Sequence, residues 1–174
     1  MQNIYNWATL NAATASGWYY VTLALNSFSN SVLRVDSNDD IVIQHQFAHY
    51  NGLWLELVRS KIGGWSDWEW VNPPMTPGVE YRTTERWNGK PVYTKLVDFG
   101  ELPNTSTKVK ESVLPTNITA ISATGYAKTA TTSKIITSSD VMIEVNNEWG
   151  HIVCITRANI SGSNAYIAVK YIKN

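Results

Sequence analysis

The 174-residue sequence is poor in the features that mark several classes of protein. It contains one cysteine, Cys154, and therefore forms no intrachain disulfide. No run approaches the roughly 18 apolar residues of a membrane-spanning helix, and residues 1–5 lack the basic and apolar regions of a signal peptide. We expect a protein that is made in a cytoplasm without a signal peptide and is not inserted into a membrane, with Cys154 as a small buried residue.

Charge is also scarce. Charged residues make up 16% of the chain, and 14 Lys and Arg balance 14 Asp and Glu. Nucleic-acid binding depends on clustered positive charge, so this composition disfavours a nucleic-acid partner. Eight tryptophans and nine tyrosines are present instead, among many Asn, Thr and Ser residues. This composition is common in β proteins and in surfaces that recognise polar ligands.

Motifs of catalysis and metal binding are missing as well. His45 and His49 are four residues apart, a spacing that lets two histidines bind one zinc ion from a helix. They fall in a strand-like stretch, however, where this helical geometry does not apply. The acidic stretch 36–40 lacks the glycine and the distal glutamate of a helix-loop-helix calcium site and is typical of an Asx-rich turn. The remaining carboxylates cannot be paired from sequence alone. We therefore expect no enzyme activity, no metal and no cofactor.

The pattern of apolar residues predicts an all-β fold with one short helix. The helix is expected over residues 6–15, because Trp7, Leu10 and Thr14 fall at helical spacing. In the second half, Asn88-Gly89 separates two β-favouring runs and predicts a hairpin. The other predicted strands are short runs between Asn, Ser, Asp and Gly clusters, at 18–25, 31–35, 41–47, 53–60, 65–71, 118–126, 141–146, 151–157 and 165–172.

Proline marks the predicted boundary between two domains. Residues 72–78 contain three of the six prolines, which disfavour both a strand ladder and a helix. Charge changes at the same place, since residues 1–76 hold three Lys and Arg against six Asp and Glu, and residues 77–174 hold eleven against eight. The sequence predicts two small antiparallel β domains, at 1–73 and 79–174, joined by a linker at 74–78.

Three tryptophans lie close together at Trp65, Trp68 and Trp70. If this segment is one strand, alternation places Trp68 and Trp70 on one face and Trp65 on the other. Trp68 then packs in the core while Trp65 braces a hairpin, or the rings form a stacking surface for sugars with Asp67 beside them. The residues alone leave both interpretations open.

Several spaced motifs resemble those of phage tail-fibre proteins. The first half contains Gly17-Trp18-Tyr19, Val32-Leu33-Arg34-Val35, Ile43-Gln44-His45-Gln46, Leu57-Val58-Arg59 and Trp65-Ser66-Asp67-Trp68. This set resembles the pyocin-type knob domain of tail fibres. The second half contains Tyr81-Arg82-Thr83, Trp87-Asn88-Gly89-Lys90-Pro91-Val92-Tyr93-Thr94-Lys95, Asp98-Phe99-Gly100-Glu101-Leu102-Pro103-Asn104 and Val169-Lys170-Tyr171-Ile172-Lys173. This set resembles the C-terminal head of phage and prophage tail proteins.

The resemblance implies a knob meander or sandwich with a short N-terminal helix, followed by a β-sandwich head. It also implies a homotrimer at the tip of a tail fibre in the virion, in contact with other tail or baseplate proteins. Such a protein attaches to a bacterial cell-surface glycan, either a cell-wall or a capsular polysaccharide. The spacing of Trp65 and Trp68 in the motif favours the core interpretation of the tryptophans. No region for attachment to a virion is visible, so we expect a tip fragment or a short subunit mounted on another protein.

Recognition is expected in loops, because strands hold loops in place and loops vary without cost to the core. The candidate glycan-binding residues are Tyr50, Asn51, Asn147, Trp149, Arg157 and Asn159. An ordinary solvated turn is the alternative at each place. The alternative functions are a glycan-degrading tail enzyme and a purely structural or trimerisation module.

Overall fold

The structure, a computed structural model, describes residues 2–22, 30–136, 139–157, 160 and 162–174. The chain forms two compact units, one of Met1–Pro74 with Arg82–Thr84 and one of Met75–Tyr81 with Glu85–Asn174. Strands account for nearly all the regular structure of the described residues, so the predicted all-β fold is confirmed. No helix among them is long and apolar enough to cross a membrane. That each half is an independent domain stays a prediction.

The first unit contains a mixed sheet and one helix. Its elements are β1 (Gln2–Ile4), α1 (Trp7–Ala12), β2 (Gly17–Val21), β3 (Ser31–Ser37), β4 (Val42–Tyr50), β5 (Leu53–Ile62), β6 (Gly64–Trp65) and β7 (Glu69–Trp70). Strands β2 to β5 form the predicted antiparallel meander. Strand β1 adds to β2 in parallel, which differs from the purely antiparallel prediction.

Helix α1 is shorter than predicted, and its ends explain why. Asn6 is the N-cap, and its side chain accepts a hydrogen bond of 2.8 Å from the backbone N–H of Thr9. At the other end, the buried amide of Gln44 on β4 donates to the carbonyls of Leu10, at 2.9 Å, and Ala13, at 2.8 Å. Since these carbonyls have no further helical turn to bind, Gln44 ends the helix and fixes it to the inner face of the sheet.

The core of the first unit lies between α1 and this inner face. Leu10 is the one buried residue of the helix. The buried hydrophobic residues around it and along the sheet are Ile4, Ala13, Tyr19, Val21, Leu33, Val35, Ala48, Leu55 and Leu57. They alternate with more exposed residues along β2 to β5, so the opposite face of the sheet is not covered by this core.

The predicted strand at 65–71 is wrong as one continuous element. Only Gly64–Trp65 and Glu69–Trp70 pair with β5. Between them the chain leaves the ladder, and Trp65 and Trp68 both lie against the guanidinium of Arg59, at 4.0 Å and 4.7 Å from the ring centroids. The prediction that Trp65 and Trp68 face opposite ways fails for this reason. Both rings contact the same guanidinium, whereas alternation along one continuous strand would place them on opposite faces of the sheet.

The second unit is a β-sandwich. Its elements are β8 (Glu80–Trp87), β9 (Lys90–Glu101), β10 (Thr107–Lys110), β11 (Ile118–Lys128), β12 (Ser133–Ile135), β13 (Val141–Asn146), β14 (His151–Thr156) and β15 (Asn164–Lys173). Strand β8 also supplies Arg82–Thr84 to the first unit, where Thr83 pairs in parallel with Trp70. In the second unit β9, β15, β11 and β12 are neighbours in that order, and β10, β14 and β13 form a smaller sheet.

The two sheets of the second unit pack through their apolar faces. Ile167, Val169 and Tyr171 of β15 share one face, as predicted, and each is 0% exposed. They form one core with Val141 of β13 and Cys154 of β14. The predicted sandwich is thereby confirmed.

Two Asn-Gly pairs make the tight hairpin turns. Asn88 and Gly89 connect β8 to β9 with φ values of 49° and 76°, which confirms the predicted hairpin. Asn51 and Gly52 connect β4 to β5 with φ values of 49° and 80°. Positive φ at both central residues matches the twist of the flanking strands, and Asn-Gly tolerates it best.

Candidate functional site

The most distinctive surface of the first unit is the uncovered face of its sheet. We call it the outer face and define it by the side chains of β2 to β5 that point away from the core. They include Trp18, Tyr20, Arg34, Asp36, His45, Phe47, His49, Trp54 and Glu56. Uncovered faces of antiparallel sheets are normally polar, whereas this one carries several aromatic rings.

Strand register sets these side chains in rows across the sheet. Trp18, Arg34 and His45 are successive cross-strand partners. In the adjoining row, Phe47 pairs with Glu56. Four strands at a spacing of about 4.8 Å give the rows a width of about 14 Å, which is enough for a short oligosaccharide.

Aromatic rings contact one another within the outer face. The rings of Trp18 and Phe47 have centroids 6.1 Å apart, and those of Phe47 and His45 are stacked at 6.2 Å with an interplanar angle of 10°. Trp18 is nonetheless 52% exposed. The three rings therefore form one continuous aromatic surface, which Trp18 opens to solvent, and exposed rings of this kind mark interaction sites.

Polar groups accompany these rings and are already paired. His45 Nδ1 lies 2.8 Å from Glu56 Oε1, and Arg34 Nε donates to Asp36 Oδ2 at 2.8 Å. Each pair is held in place while part of each side chain stays accessible. Planar rings beside fixed hydrogen-bonding groups can contact both the apolar face and the hydroxyls of a sugar.

The first predicted loop lies at the β4–β5 hairpin next to the outer face. Tyr50 ends β4, and Asn51 is the first turn residue. Behind them, the rings of His49 and Trp54 are 5.2 Å apart in an edge-to-face arrangement, and Trp54 is 70% exposed. The structure therefore brings Tyr50 and Asn51 beside a second group of exposed rings.

The second predicted loop is the β13–β14 turn. Asn146 Oδ1 accepts hydrogen bonds from the backbone N–H groups of Glu148 and Trp149, which makes this an Asx turn. Asn147 Oδ1 accepts from the backbone N–H of Ala120 at 3.0 Å. Asn147 thus has a structural partner, whereas the indole of Trp149 is exposed and lies 5.8 Å from the ring of His151.

Arg157 and Asn159 belong to the third predicted loop. Arg157 is exposed and follows β14, and its backbone N–H donates to the carbonyl of Asp140 at 2.8 Å. It lies at the opposite end of β14 from Asn147 and Trp149, so the structure does not bring these candidates together. Asn159 lies outside the described residues.

The tryptophan segment packs against the core of the first unit, as the first of the two interpretations predicts. Trp68 and Trp70 are partly buried and pack against core residues of the first unit. Burial lowers the pKa of the Arg59 guanidinium to about 10, so the group between Trp65 and Trp68 stays charged at neutral pH. Asp67, the predicted sugar contact, forms an ion pair with Arg82.

Chemistry based on a metal finds no support among the described residues. No group of three or more His, Cys, Asp and Glu side chains there comes close enough together to hold a metal ion. In the acidic stretch 36–40, Asn38 Oδ1 accepts from the backbone N–H groups of Asp40 and Ile41, as expected for an Asx turn. His45 and His49 are engaged separately, with Glu56 and Trp54.

Comparison with known proteins gives two similar solved structures. One is a P. aeruginosa R1 pyocin fiber fragment, with 12% identity and a TM-score of 0.30 over 100% of this chain and 67% of that chain. The other is an N-truncated R2-type pyocin tail fiber, with 11% identity and a TM-score of 0.30 over 99% of this chain and 95% of that chain. A TM-score of 0.30 does not establish a shared fold. No family model matches the chain, and no curated protein matches it.

Sequence reasoning missed the outer face, although part of the signal was present. Alternation within β4 puts Gln44, Gln46 and Ala48 on the core side, and His45 and Phe47 on the other. A comparison of the outward-facing positions of β2 to β5 would have revealed the aromatic side chains of the outer face. Glutamines at core positions hide this signal, because polar residues normally indicate the exposed side.

Proposed function

We propose that the chain is the tip of a phage or prophage tail fibre that attaches to a bacterial cell-surface glycan by multivalent, non-covalent binding. The observation that carries the proposal is the continuous aromatic surface of Trp18, Phe47 and His45 beside fixed polar pairs. The tail-fibre assignment rests on the resemblance of the motifs in both halves of the sequence.

Weak sites suffice for such a protein when several act together. The outer face is open and shallow, so one sugar chain buries little surface on it. In the proposed homotrimer, a polymeric glycan that occupies one outer face raises the effective concentration at the other two. The virion location and the contacts with other tail proteins are parts of the same proposal.

A cell-wall retention assay with two matched variants tests the proposal. Trp18→Ala removes the most exposed of the three rings Trp18, Phe47 and His45. Trp7→Ala is the control, because Trp7 lies on α1 in the same unit and is 51% exposed, against 52% for Trp18. We expect Trp18→Ala to weaken retention on host cell walls by at least about tenfold, and Trp7→Ala to leave it unchanged within about twofold.

Retention, measured together with the release of reducing ends, separates adhesion from the structural and the enzymatic alternatives. A folded protein that no cell wall or capsular polysaccharide retains would contradict adhesion and favour a structural module. Release of reducing ends from the polysaccharide would favour a glycan-degrading enzyme. Equal losses in Trp18→Ala and Trp7→Ala would exclude the outer face as the contact surface, and light scattering on each variant checks the proposed trimer.

A further inference from the structure

A second candidate site is an open cleft in the sandwich of the second unit. It has a volume of about 400 Å³ and lies beside β9. Its lining includes Gly78, Lys95, Val97, Lys110, Ser112 and Val113. All of them belong to the second unit.

Lys95 occupies an unusual position in this cleft. Its neighbours on the same face of β9, Tyr93 and Val97, contribute to the hydrophobic core, and its cross-strand partner is the fully buried Val169. Lys95 itself is half-buried, and no hydrogen bond or ion pair to its ammonium group occurs among the described residues. Lys95 thus brings to an open cleft an ammonium group with no anion beside it among the described residues, and this position favours a negatively charged ligand.

A second ammonium group lines the same cleft. Lys110 on the edge strand β10 donates from Nζ to the backbone carbonyl of Asp98 at 2.6 Å. Asp98 also lines the cleft, and its carboxylate accepts a hydrogen bond from the backbone N–H of Gly100 at 3.0 Å. The lining thus carries two lysines against one aspartate, which leaves an excess of positive charge.

The rest of the lining is suited to a sugar or polyol. Val97 and Val113 provide apolar contacts, and Ser112 provides a hydroxyl. One rim is fixed to β9, because the backbone N–H of Gly78 donates to the carbonyl of Leu96 at 2.7 Å. A small cleft with apolar walls and a few charged groups is a common form of ligand site.

We propose that this cleft binds the phosphate or carboxylate group of an acidic cell-surface polysaccharide, with Lys95 as the direct contact. The inference rests on the proposed function and narrows the glycan to an anionic one. Lys110 adds a second positive charge, and the two valines contact the carbon skeleton that carries the anion.

The test is an NMR titration of the ¹⁵N-labelled full chain. The probes are glycerol 1-phosphate and glucuronate, with uncharged glucose as the control ligand. We expect each bound anion to shift the backbone amides of Gly78, Lys95 and Ser112, and glucose to shift none of them. The stronger of the two anions identifies phosphate or carboxylate as the natural group.

Each of two variants removes one lysine charge, one inside the cleft and one outside it. Lys95→Met should weaken anion binding by about tenfold or more, since a hydrogen-bonded ion contact is lost. Lys90→Met, at the exposed β8–β9 turn, should change it by less than about twofold. If Lys95→Met does not fold, Lys95→Gln removes the same charge and can be measured in its place. The titration of the unchanged protein tests anion binding without any variant.

Absence of shifts in the cleft with both anions would overturn the inference, as would equal losses in Lys95→Met and Lys90→Met. Cell-wall retention, measured on the same samples, keeps the two proposals apart. Retention of the protein on cell walls without anion binding would reject the anion site in the cleft and leave the adhesion proposal unaffected. Anion binding without retention would support an anion site in the cleft, but it would reject adhesion and with it a cell-surface polysaccharide as the ligand.

Discussion

The guanidinium of Arg59 lies 4.0 Å from the ring centroid of Trp65 and donates a hydrogen bond of 2.9 Å to Gln44 Oε1. It also donates to Asn11 Oδ1 on α1 at 2.8 Å, while Trp68 packs at 4.7 Å. Gln44 holds the end of the same helix. One buried cation therefore connects the helix, the central strands and the tryptophan segment of the first unit.

Replacing Arg59 by lysine should destabilise the first unit. Lysine keeps the charge, but its ammonium group cannot stack as a planar group on Trp65 and Trp68, and it lacks the separate Nε and Nη2 donors that reach Gln44 and Asn11. The buried Oε1 of Gln44 and the more exposed Oδ1 of Asn11 then lose a donor, and we expect the free energy of unfolding to fall by about 2–4 kcal/mol. Urea denaturation followed by tryptophan fluorescence measures this change.

The matched control for this substitution is Arg34→Lys. Arg34 forms an ion pair with Asp36 at 2.8 Å, and its side chain is 39% exposed. Exposed pairs of this kind contribute less than about 1 kcal/mol, so a small effect is expected. Similar losses of stability in the two variants would contradict the structural role of Arg59.

Much of the fold is predictable from local patterns, and the missed parts either lack an apolar pattern or depend on side-chain contacts between elements. The strand at 167–171 and the Asn88-Gly89 turn follow from alternation and turn chemistry, which act over a few residues. The strand β10 was missed, because four residues with two lysines show little apolar pattern. The break at Trp68 accompanies its contact with Arg59, which lies nine residues earlier on β5, and strand alternation alone does not reveal this contact.

The candidate site was less predictable for the same reason. Trp18 and Phe47 meet only because β2, β3 and β4 are in register. Their positions are 29 residues apart in the sequence, and no local rule gives the register. Loop positions such as Tyr50 and Trp149 were easier to select, since a turn signal identifies them without any knowledge of strand pairing.

Substitution of Gly150 should strongly destabilise the second unit. Gly150 has a φ of 65°, and a Cβ there would lie 2.2 Å from the carbonyl oxygen of Leu114. The backbone N–H of Leu114 also donates to the carbonyl of Gly150 at 3.0 Å, so the two segments cannot separate without losing this bond. We expect Gly150→Ala to lower the free energy of unfolding by more than about 3 kcal/mol.

Gly89→Ala is the control for Gly150→Ala, because it introduces a similar backbone strain without a clash. Gly89 has a φ of 76°, and nothing lies within 4 Å of the Cβ position. Its cost should be about 1 kcal/mol. Thermal unfolding of both variants checks the difference, and an equal shift in the two would mean that the contact with Leu114 does not matter.

Cys154 should be unreactive in the folded protein. It is 0% exposed, and burial raises the pKa of its thiol to about 12, although nearby Lys108 opposes this shift. At pH 8 both the access of the reagent and the thiolate fraction are very low. We expect no reaction with a thiol reagent in the native protein and full reaction in urea. Prompt labelling of the native protein would contradict the burial.

The same pKa shift predicts how stability depends on pH. Burial raises the pKa of the Cys154 thiol from 9.0 in the unfolded chain to about 12, so the unfolded state loses its proton first. The stabilising effect of the neutral thiol is complete below pH 9.0 and is lost as the pH rises toward the folded value. Relative to Cys154→Val, the wild type should lose up to about 1.4 kcal/mol per pH unit above pH 9.

The β13–β14 turn allows a structural role and a recognition role to be separated. Asn147→Ala should lower the free energy of unfolding by about 1 kcal/mol, because the backbone N–H of Ala120 loses its acceptor. Trp149→Ala should change it by less than about 0.5 kcal/mol, since the side chain of Asn146, not the indole, holds the turn. Urea denaturation measures both values. A stability loss at Trp149 that matches the loss at Asn147 would show that the indole anchors the turn. Weaker retention of a fully stable Trp149→Ala variant on cell walls would support the glycan contact that the sequence predicts at Trp149.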